Sequence, residues 1–403
     1  MNQLGGIWQI KVDGEPSQRG FFDCDIPAGE SGEITIDYRK PRIDSKTECL
    51  LEVSFVLKDD LNWAPKGHEV AWEQFPVPAD FYFVQDIENE NQIKAVEDDR
   101  FIRIEGVDFS YSIDKNTGQF VTLEYNNSEY LESGPEFKIW RAPLANDIDE
   151  WGANMYARSN QTPGLGRSID NKIRTLGMRN LVPEVEELEL IQVHDDEVTL
   201  KMDVFANSTL DPARRKDQWF MYSAFEQKQI WKFKADGTIE LEQEIIPHGP
   251  MPDVLPKVGL QFQLPKSFNH VQWYGRGPFE NYPDRKTGAK VGLYQSTADS
   301  MYVPYIIPQD YGNRSDVRWL KVQNENEQGL LIQGDQLLNF SLHKYATNNL
   351  SRAMYTYQLE EAPNTILNVD YEVSGVGGTA IRQLQKYRVR PDVKKYTLMI
   401  KPF

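Results

Sequence analysis

The sequence predicts an all-β protein, and three observations carry that prediction. Apolar residues recur with a period of two, as in Phe109-Ser-Tyr-Ser-Ile113, whose three large apolar side chains would share one face of a strand. Turn chemistry punctuates the alternating runs, with 27 Gly and 23 Pro scattered through 403 residues. No long stretch sustains the i, i+3, i+4, i+7 apolar spacing of a helix. Half-buried strands joined by tight turns follow, arranged as sandwiches or barrels.

Taken in chain order, the first strand signal is Gly6-Ile-Trp8-Gln-Ile10, and Ile34 and Ile36 in GEITIDY mark a second. The last strand-like stretch before a break is WEQFPVPADFYF, so residues 1–86 have about the length of one immunoglobulin-like or fibronectin-like sandwich with several short strands. The abrupt start predicts a missing first strand, which would expose an edge able to pair with another chain. DIENENQIKAVEDDR reads as a polar connection, placing the boundary near residue 86. Residues 87–403 then continue as strand pattern with no second linker, too long for a small sandwich. Within them Asn116-Thr117-Gly118 separates FSYSI from QFVTLEY, and Asp236-Gly237 separates Trp231-x-Phe233 from Ile239-x-Leu241. Both read as antiparallel hairpins.

Charge narrows the partners. There are 61 acidic residues against 44 basic, a net charge of −17, with 8 basic and 16 acidic in residues 1–86 and neither part basic. A surface of that sign repels phosphates, so nucleic acid is excluded and a neutral or cationic partner is expected. No apolar run reaches the length of a membrane helix, and the first residues lack a basic, then apolar, leader pattern. A cytoplasmic or a periplasmic location stays open. The two cysteines, Cys24 and Cys49, fit no metal spacing and read as core thiols, with a disulfide between them the alternative.

Catalytic motifs are scarce. The Asn-Glu dipeptides at 89, 324 and 326 lie in polar runs that look like a linker or a hairpin tip, and with 61 acids a carboxylate pair cannot be singled out. The histidines at 68, 194, 248, 270 and 343 form no metal-ligand spacing, and Val376-Gly377-Gly378 reads only as a turn. Polar groups are densest in Trp140-Arg-Ala-Pro-Leu-Ala-Asn-Asp-Ile148, in the run from Trp273 to Lys286 and in the run from Pro308 to Trp319. Aromatic faces beside Asp, Asn and Arg can bind sugars, or the same groups can form a buried network that fixes loops.

Those stretches carry a resemblance. Arg141-Ala-Pro-Leu-x-Asn-Asp147, Gly275-Arg-Gly-Pro-Phe-Glu-Asn-Tyr-Pro-Asp-Arg285 and Tyr305-Ile-Ile-Pro-Gln-Asp-Tyr-Gly-Asn-Arg314 occur in that order. Ile104-Glu-Gly-x-x-Phe-Ser-Tyr111 precedes them, and Leu367-Asn-x-Asp370 and Gly375-Val-Gly-Gly378 follow. Together they resemble the C-terminal domain of glycoside hydrolase family 2 β-galactosidases. Residues 3–86, with His68-Glu-Val-Ala-Trp72, are similar to the sandwich before that domain.

The resemblance implies an immunoglobulin-like sandwich over 1–86, then a large antiparallel supersandwich of the galactose mutarotase type over 87–403. It implies the C-terminal part or small subunit of an enzyme that hydrolyses terminal non-reducing β-D-galactosyl residues by retention. The family's catalytic carboxylates and its Mg2+ and Na+ sites lie in a barrel that this sequence lacks. The chain is therefore expected to be inactive alone, to hold no cofactor, and to need a barrel-containing chain as partner, with oligomerisation open. The polar set Arg141, Asp147, Glu280, Asn281, Asp284, Arg285, Arg314 and Arg318 is expected to fix loops or contact sugar. In the family a loop after the GxGG turn brings a tryptophan to the sugar. Here that loop carries no tryptophan, leaving Arg382, Gln385 and Tyr387 as the contact candidates if it reaches the sugar. The alternatives are a carbohydrate-binding or assembly module and a mutarotase-like epimerase, which would need a general acid and base.

Overall fold

The computed structural model describes residues 3–23, 25–27, 29–44, 47–78, 80–82, 92–148, 169–194, 196–208, 222–378 and 383–403. It divides into two compact units, Met1–Glu88 with Lys290–Leu293, and Asn89–Ala289 with Tyr294–Phe403. The fold is all-β, as the alternating pattern predicts. Among the described residues no helix is long and apolar enough to cross a membrane.

The N-terminal unit contains β1 (Leu4–Val12), β2 (Glu15–Asp23), β3 (Arg42–Asp44), β4 (Cys49–Leu57), β5 (Glu69–Pro76) and β6 (Asp80–Tyr82). An antiparallel sheet runs β2-β1-β4-β5, and β3 and β6 make a short parallel ladder. Asp13 and Gly14 reverse the chain between β1 and β2, both with positive φ, the conformation that twists in the sense of the flanking strands. Ile10, Ile43 and Cys49 form the core, so the sheet and β3 pack on one another, with Trp8, Tyr38 and Leu51 around them. Cys49 is a buried free thiol. Burial and the neighbouring Glu48 push its pKa up, which keeps it unreactive. Cys24 lies outside the described residues.

GEITIDY departs from the expectation. Residues 33–38 join no ladder. Instead the Gln18 side chain donates to the Arg39 carbonyl at 2.6 Å and accepts from the Arg39 amide at 2.9 Å. One side-chain amide takes the place of a neighbouring strand, so alternation records an extended segment without a sheet partner.

The larger unit opens with β7 (Lys94–Glu97), β8 (Phe101–Glu105), β9 (Phe109–Asp114), β10 (Phe120–Tyr125), β11 (Ser128–Glu129) and β12 (Ser133–Lys138). β7 lies inside the stretch expected to be a connection; it pairs with β8 from Lys94↔Glu105 to Glu97↔Ile102, and Ile93 before it is buried. Helical turns α1 (Ala145–Ile148) and α2 (Ile169–Thr175) follow, then β13 (Val182–Val193), β14 (Glu197–Asn207), β15 (Ala224–Lys234) and β16 (Ile239–His248). Next come β17 (Lys257–Leu264), β18 (His270–Gly277), β19 (Lys290–Thr297), whose first four residues are grouped with the N-terminal unit, β20 (Arg314–Gln323) and β21 (Gly329–Tyr345). The unit closes with α3 (Thr347–Arg352), β22 (Glu361–Val373) and β23 (Lys394–Pro402).

This is a supersandwich whose two sheets share one long strand. The first half of β21, Leu330 to Gly334, pairs with β23, while Asn339 to His343 pair with β22. Between the pairings Asp335, Gln336 and Leu337 are exposed. The strand thereby leaves one sheet, β13-β14-β15-β16-β23, and enters the other, β22-β17-β12. Apolar side chains fill the interior, Tyr111, Phe120, Trp231 and Phe233 meeting edge-on, tilted or, for Trp231 and Phe233, stacked, at 5.3 to 6.4 Å.

Both sequence-predicted hairpins form. Phe120 pairs with Ile113, and Phe233 with Ile239. The Asn324-Glu325 and Asn326-Glu327 dipeptides occupy the turn between β20 and β21, while Asn89-Glu90 lies outside the described residues. At the second hairpin Gly237 has φ +82, and its carbonyl accepts from the buried Tyr111 hydroxyl at 2.7 Å. A Cβ there would lie 3.1 Å from that hydroxyl and 3.3 Å from the Phe109 ring. Gly237→Ala is expected to lower the unfolding free energy by about 1–3 kcal/mol through backbone strain and crowding. Denaturant titration monitored by tryptophan fluorescence reads the change, and an unchanged midpoint would refute it.

Candidate functional site

The polar segments converge in the larger unit on the turn at 374–378. After β12 the chain buries Arg141, and the short turn α1 carries Asp147 back to it. The guanidinium donates through Nε to Asp147 Oδ2 at 2.9 Å and through Nη2 to Oδ1 at 3.2 Å, a two-point fork between side chains 0% and 4% exposed. Nη1 donates to the Ser374 carbonyl at 2.9 Å and Nη2 to the Gly375 carbonyl at 3.3 Å. Desolvation opposes the charge on Arg141, but Asp147 outweighs it and the pKa is raised.

Two further side chains grip the same turn. Asp284 accepts from the Val376 amide at 2.9 Å and from the Gly377 amide at 2.7 Å. Asn146 donates to the Val376 and Gly378 carbonyls, each at 2.7 Å. Gly375 is required by this approach, since a Cβ on it would stand 2.4 Å from the Asp284 carboxyl carbon. Ser374 completes the anchorage by donating to the Leu255 carbonyl at 2.6 Å and accepting from the Val389 amide at 2.9 Å. Val376-Gly377-Gly378 is thus a turn fixed by two side chains, with Arg141 holding the two residues before it, more than the turn signal alone suggested. Arg382 lies outside the described residues. Gln385 and Tyr387 belong to a short 3-10 turn, with Gln385 exposed and Lys386 over the Tyr387 ring at 4.7 Å.

A second cluster centres on Glu280. Its carboxylate accepts from Arg285 at 2.6 Å, from the Gly312 amide at 2.8 Å and from the Tyr305 hydroxyl. Arg285 and Arg141 both lie over the buried Tyr282 ring, at 5.5 and 6.0 Å, which links the two clusters. Asn281 is fully buried and knits two loops together. Its amide donates to the Asn313 carbonyl at 2.9 Å, its carbonyl accepts from Asn313 Nδ2 at 2.7 Å, and its Oδ1 accepts from the Ser315 amide at 2.9 Å. Arg314 is buried over Trp273 at 5.3 Å and donates to the Gly312 and Asn313 carbonyls at 3.0 and 3.3 Å. Burial pulls its pKa down to about 10. Arg318 sits further along β20, donating to the Asp316 carbonyl at 2.7 Å and covering Tyr274 at 5.4 Å.

Several polar groups escape sequence reasoning. Lys257 on β17 is buried and pairs with Asp370 on β22 at 3.1 Å, also donating to Asn368 at 2.9 Å. Burial pushes Asp370 up to about 6 despite Lys257, and pushes Asp310 to about 6 despite Lys257 and Arg141. His343 on β21 is buried, stacked on Tyr311 at 4.2 Å, and its Nε2 lies 2.7 Å from the Tyr311 carbonyl, which makes that nitrogen the protonated one. Its Nδ1 has no partner, and burial draws its pKa down to about 4. The missed signal is the polar residue at an inward strand position, visible in Leu367-Asn-x-Asp370 but not interpretable without its partner. Among the described residues no group of three His, Cys, Asp or Glu side chains could hold a metal ion.

Residues 105–400 match the family described as "Beta galactosidase small chain", and residues 1–78 match "Beta-galactosidase, domain 4". The chain belongs to the β-galactosidase small-chain family. A β-galactosidase from Priestia megaterium is 27% identical over 379 residues, covering 94% of this chain and 34% of that protein. One from Streptococcus thermophilus is 26% identical over 375 residues, covering 92% and 33%. The chain therefore spans about a third of the length of the curated relatives it matches. Among solved structures, a galactose 1-epimerase from Lactobacillus acidophilus NCFM aligns with a TM-score of 0.38 at 7% identity, over 78% of this chain and 99% of that one.

Two outcomes follow from the burial. Arg141→Met leaves the Asp147 carboxylate buried without its counter-charge and is expected to cost about 3–5 kcal/mol. Arg141→Met with Asp147→Leu should recover part of that loss in denaturant titrations; equal stability of the two variants would refute the pairing. His343 binds its proton in the unfolded chain near pH 6.5 but in the folded chain only near pH 4. Its contribution is full above pH 6.5 and is lost as pH falls through 4, an effect of roughly 3 kcal/mol. Asp310 and Asp370, raised to about 6, act in the opposite sense, favouring the fold below pH 4 and losing that contribution as pH rises through 6. The comparison of wild type with His343→Gln isolates the histidine: the variant should lose less stability between pH 6.5 and 4, and parallel curves would overturn the assignment.

Proposed function

We propose that this chain is the C-terminal part, or the separate small subunit, of a family 2 β-galactosidase that hydrolyses terminal non-reducing β-D-galactosyl residues. The catalytic carboxylate pair, about 5 Å apart in a retaining enzyme, is supplied by a barrel outside this sequence, along with any Mg2+ or Na+. The chain alone is inactive. A barrel-containing chain or set of domains is its partner.

The observation that supports this reading is the clamp on residues 374–378. Arg141, Asn146 and Asp284, drawn from segments about 90 to 230 residues away in sequence, fix the backbone immediately before the 379–382 segment. A loop that borders an active site must be held to a fraction of an ångström, because small misplacements of a substrate-positioning group cost large factors in rate. The family membership and the one-third coverage of β-galactosidase relatives support the same division of labour. Glu280, Asn281, Arg285 and Arg314 act in this reading by holding the loops beside the turn.

Hydrolysis of a chromogenic β-galactoside is expected to be absent for the chain alone and to appear when it is mixed with the barrel-containing remainder of the enzyme. In that assembled enzyme Asn146→Ala should lower kcat/KM by about 10- to 100-fold with little change in the thermal midpoint of the chain. Turnover by the isolated chain would overturn the proposal, and full activity of the variant would remove the clamp from it.

A further inference from the structure

The sheet face formed by β12, β17, β22 and β21 carries a row of uncharged polar side chains. The register sets Gln261 opposite Asn368, Gln263 opposite Ile366, and Ser341 opposite Asn368. Because side chains alternate along a strand, Gln261, Gln263, Asn364, Ile366 and Asn368 project from the same side. Amides fill positions that would bury apolar groups in an ordinary sandwich. They bond in two sets: Asn364 Nδ2 donates to Gln263 Oε1 at 2.6 Å, and Gln261 Nε2 donates to Asn368 Oδ1 at 2.9 Å, which also accepts from buried Lys257 at 2.9 Å, while Asn368 Nδ2 donates to Ser341 Oγ at 3.1 Å.

Over this row lies a cleft of about 550 Å³, within the range of small-molecule sites. Its floor includes Gln261, Gln263 and Asn364, and its walls include Trp140 and the start of α3 at Thr347, Asn348 and Asn349. The hydrogen bonds within the row leave polar atoms over. Gln263 Nε2, Asn364 Oδ1, Gln261 Oε1 and the Asn348 side-chain amide have no partner among the described residues. They offer donors and acceptors together, and none is charged.

The cations at the cleft are already matched, and the one carboxylate among its lining residues without an ion pair, Glu360, adds negative charge. Lys138 pairs with Glu136 at 2.5 Å, Arg179 with Asp170 at 2.6 Å, and Glu361 with Lys266 and Lys344 at 3.1 and 3.4 Å. The wall itself is braced. Asn349 Oδ1 accepts from the Glu360 amide at 3.1 Å, and Gln358 Oε1 accepts from the Met354 and Tyr355 amides at 2.8 and 3.2 Å. This braced loop holds Tyr355 and Tyr357 exposed and stacked parallel at 5.4 Å, the kind of flat apolar surface on which sugar rings lie.

We infer that this cleft binds a neutral mono- or disaccharide, with the side chains of Gln261, Gln263, Asn348 and Asn364 hydrogen-bonding its hydroxyls. A polyhydroxylated ligand matches mixed neutral donors and acceptors. An anionic sugar does not, because no cation in the cleft is left without its own counter-charge and the chain carries a net charge of −17. The assignment does not rest on the galactosidase reading, since it concerns binding by this chain without turnover.

Isothermal titration calorimetry of the chain with D-galactose, D-glucose, lactose and D-galacturonate tests it. At least one neutral sugar should bind with a millimolar or tighter Kd, and galacturonate at least tenfold more weakly. Gln263→Leu and Asn364→Leu should each weaken that binding tenfold or more. Asn348→Ala, an exposed change that leaves the helix backbone intact, should weaken it several-fold, which keeps the test decisive if either leucine variant fails to fold. No binding of any neutral sugar, binding unchanged in folded variants, or galacturonate bound as tightly as the neutral sugars would overturn the inference.

Discussion

One buried cation organises the polar half of this molecule. Placing a guanidinium where water cannot reach it is costly, and it is tolerated only when its donors are met in good geometry. Arg141 meets that condition with a carboxylate fork on one side and two backbone carbonyls on the other. The arrangement is sensitive to its surroundings for the same reason. Displacing Ser374 or Gly375 strands a buried donor, and removing Asp147 strands a buried charge. The position of the 374–378 turn is thus tied to the strand end before α1 by an energy comparable with much of a domain's stability.

The rest of the polar architecture extends from that point. Tyr282 lies against both Arg141 and Arg285, and Arg285 holds Glu280, which holds the Gly312 amide. Asn281 and Asn313 then join the loop after β18 to the strand β20. The Asn281–Asn313 and Arg141 links are short and screened from water, where hydrogen bonds are strong and unpaired groups are expensive, whereas Arg285 reaches Glu280 from a half-exposed position. Loops that would otherwise be the softest parts of a sandwich become the parts with the most restricted geometry.

How much of this the sequence reveals depends on distance along the chain. The Asp236-Gly237 hairpin is legible because its turn and the alternating residues beside it, Trp231 to Leu241, lie within a dozen residues. GEITIDY misleads for the converse reason: alternation describes the chain itself, whereas strand formation needs a partner, and Gln18 supplies a substitute from elsewhere. The short strand at Lys94 was hidden by its polar side chains, although the buried Ile93 beside it belongs to the core. Within the site, the dense motifs at 141–147 and 275–285 mark residues that the fold brings close to one another. Their partners are not legible: Arg141 reaches carbonyls 233 and 234 positions away, and Lys257 meets Asp370 across 113. Carbonyl acceptors leave no trace in side-chain identity, so no reading of residue types could have found them.

The two polar regions of the larger unit solve different problems with different chemistry. Around Arg141 the groups are charged, paired and shielded, while toward Glu280 the buried Tyr282 hydroxyl and Arg314 Nε have no partner among the described residues and Arg285 is half exposed. Such a region transmits position. At the cleft the groups that β17 and β22 present are neutral amides with unmet donors and acceptors, set apart from the buried Lys257–Asp370 pair on the same strands. Unmet neutral groups at a concave surface cost little while water is present and become favourable when a hydroxyl-rich ligand displaces that water. On the sugar-binding inference, the charged scaffold serves to hold the amides of the cleft still, since selectivity for hydroxyl geometry depends on amides that do not move.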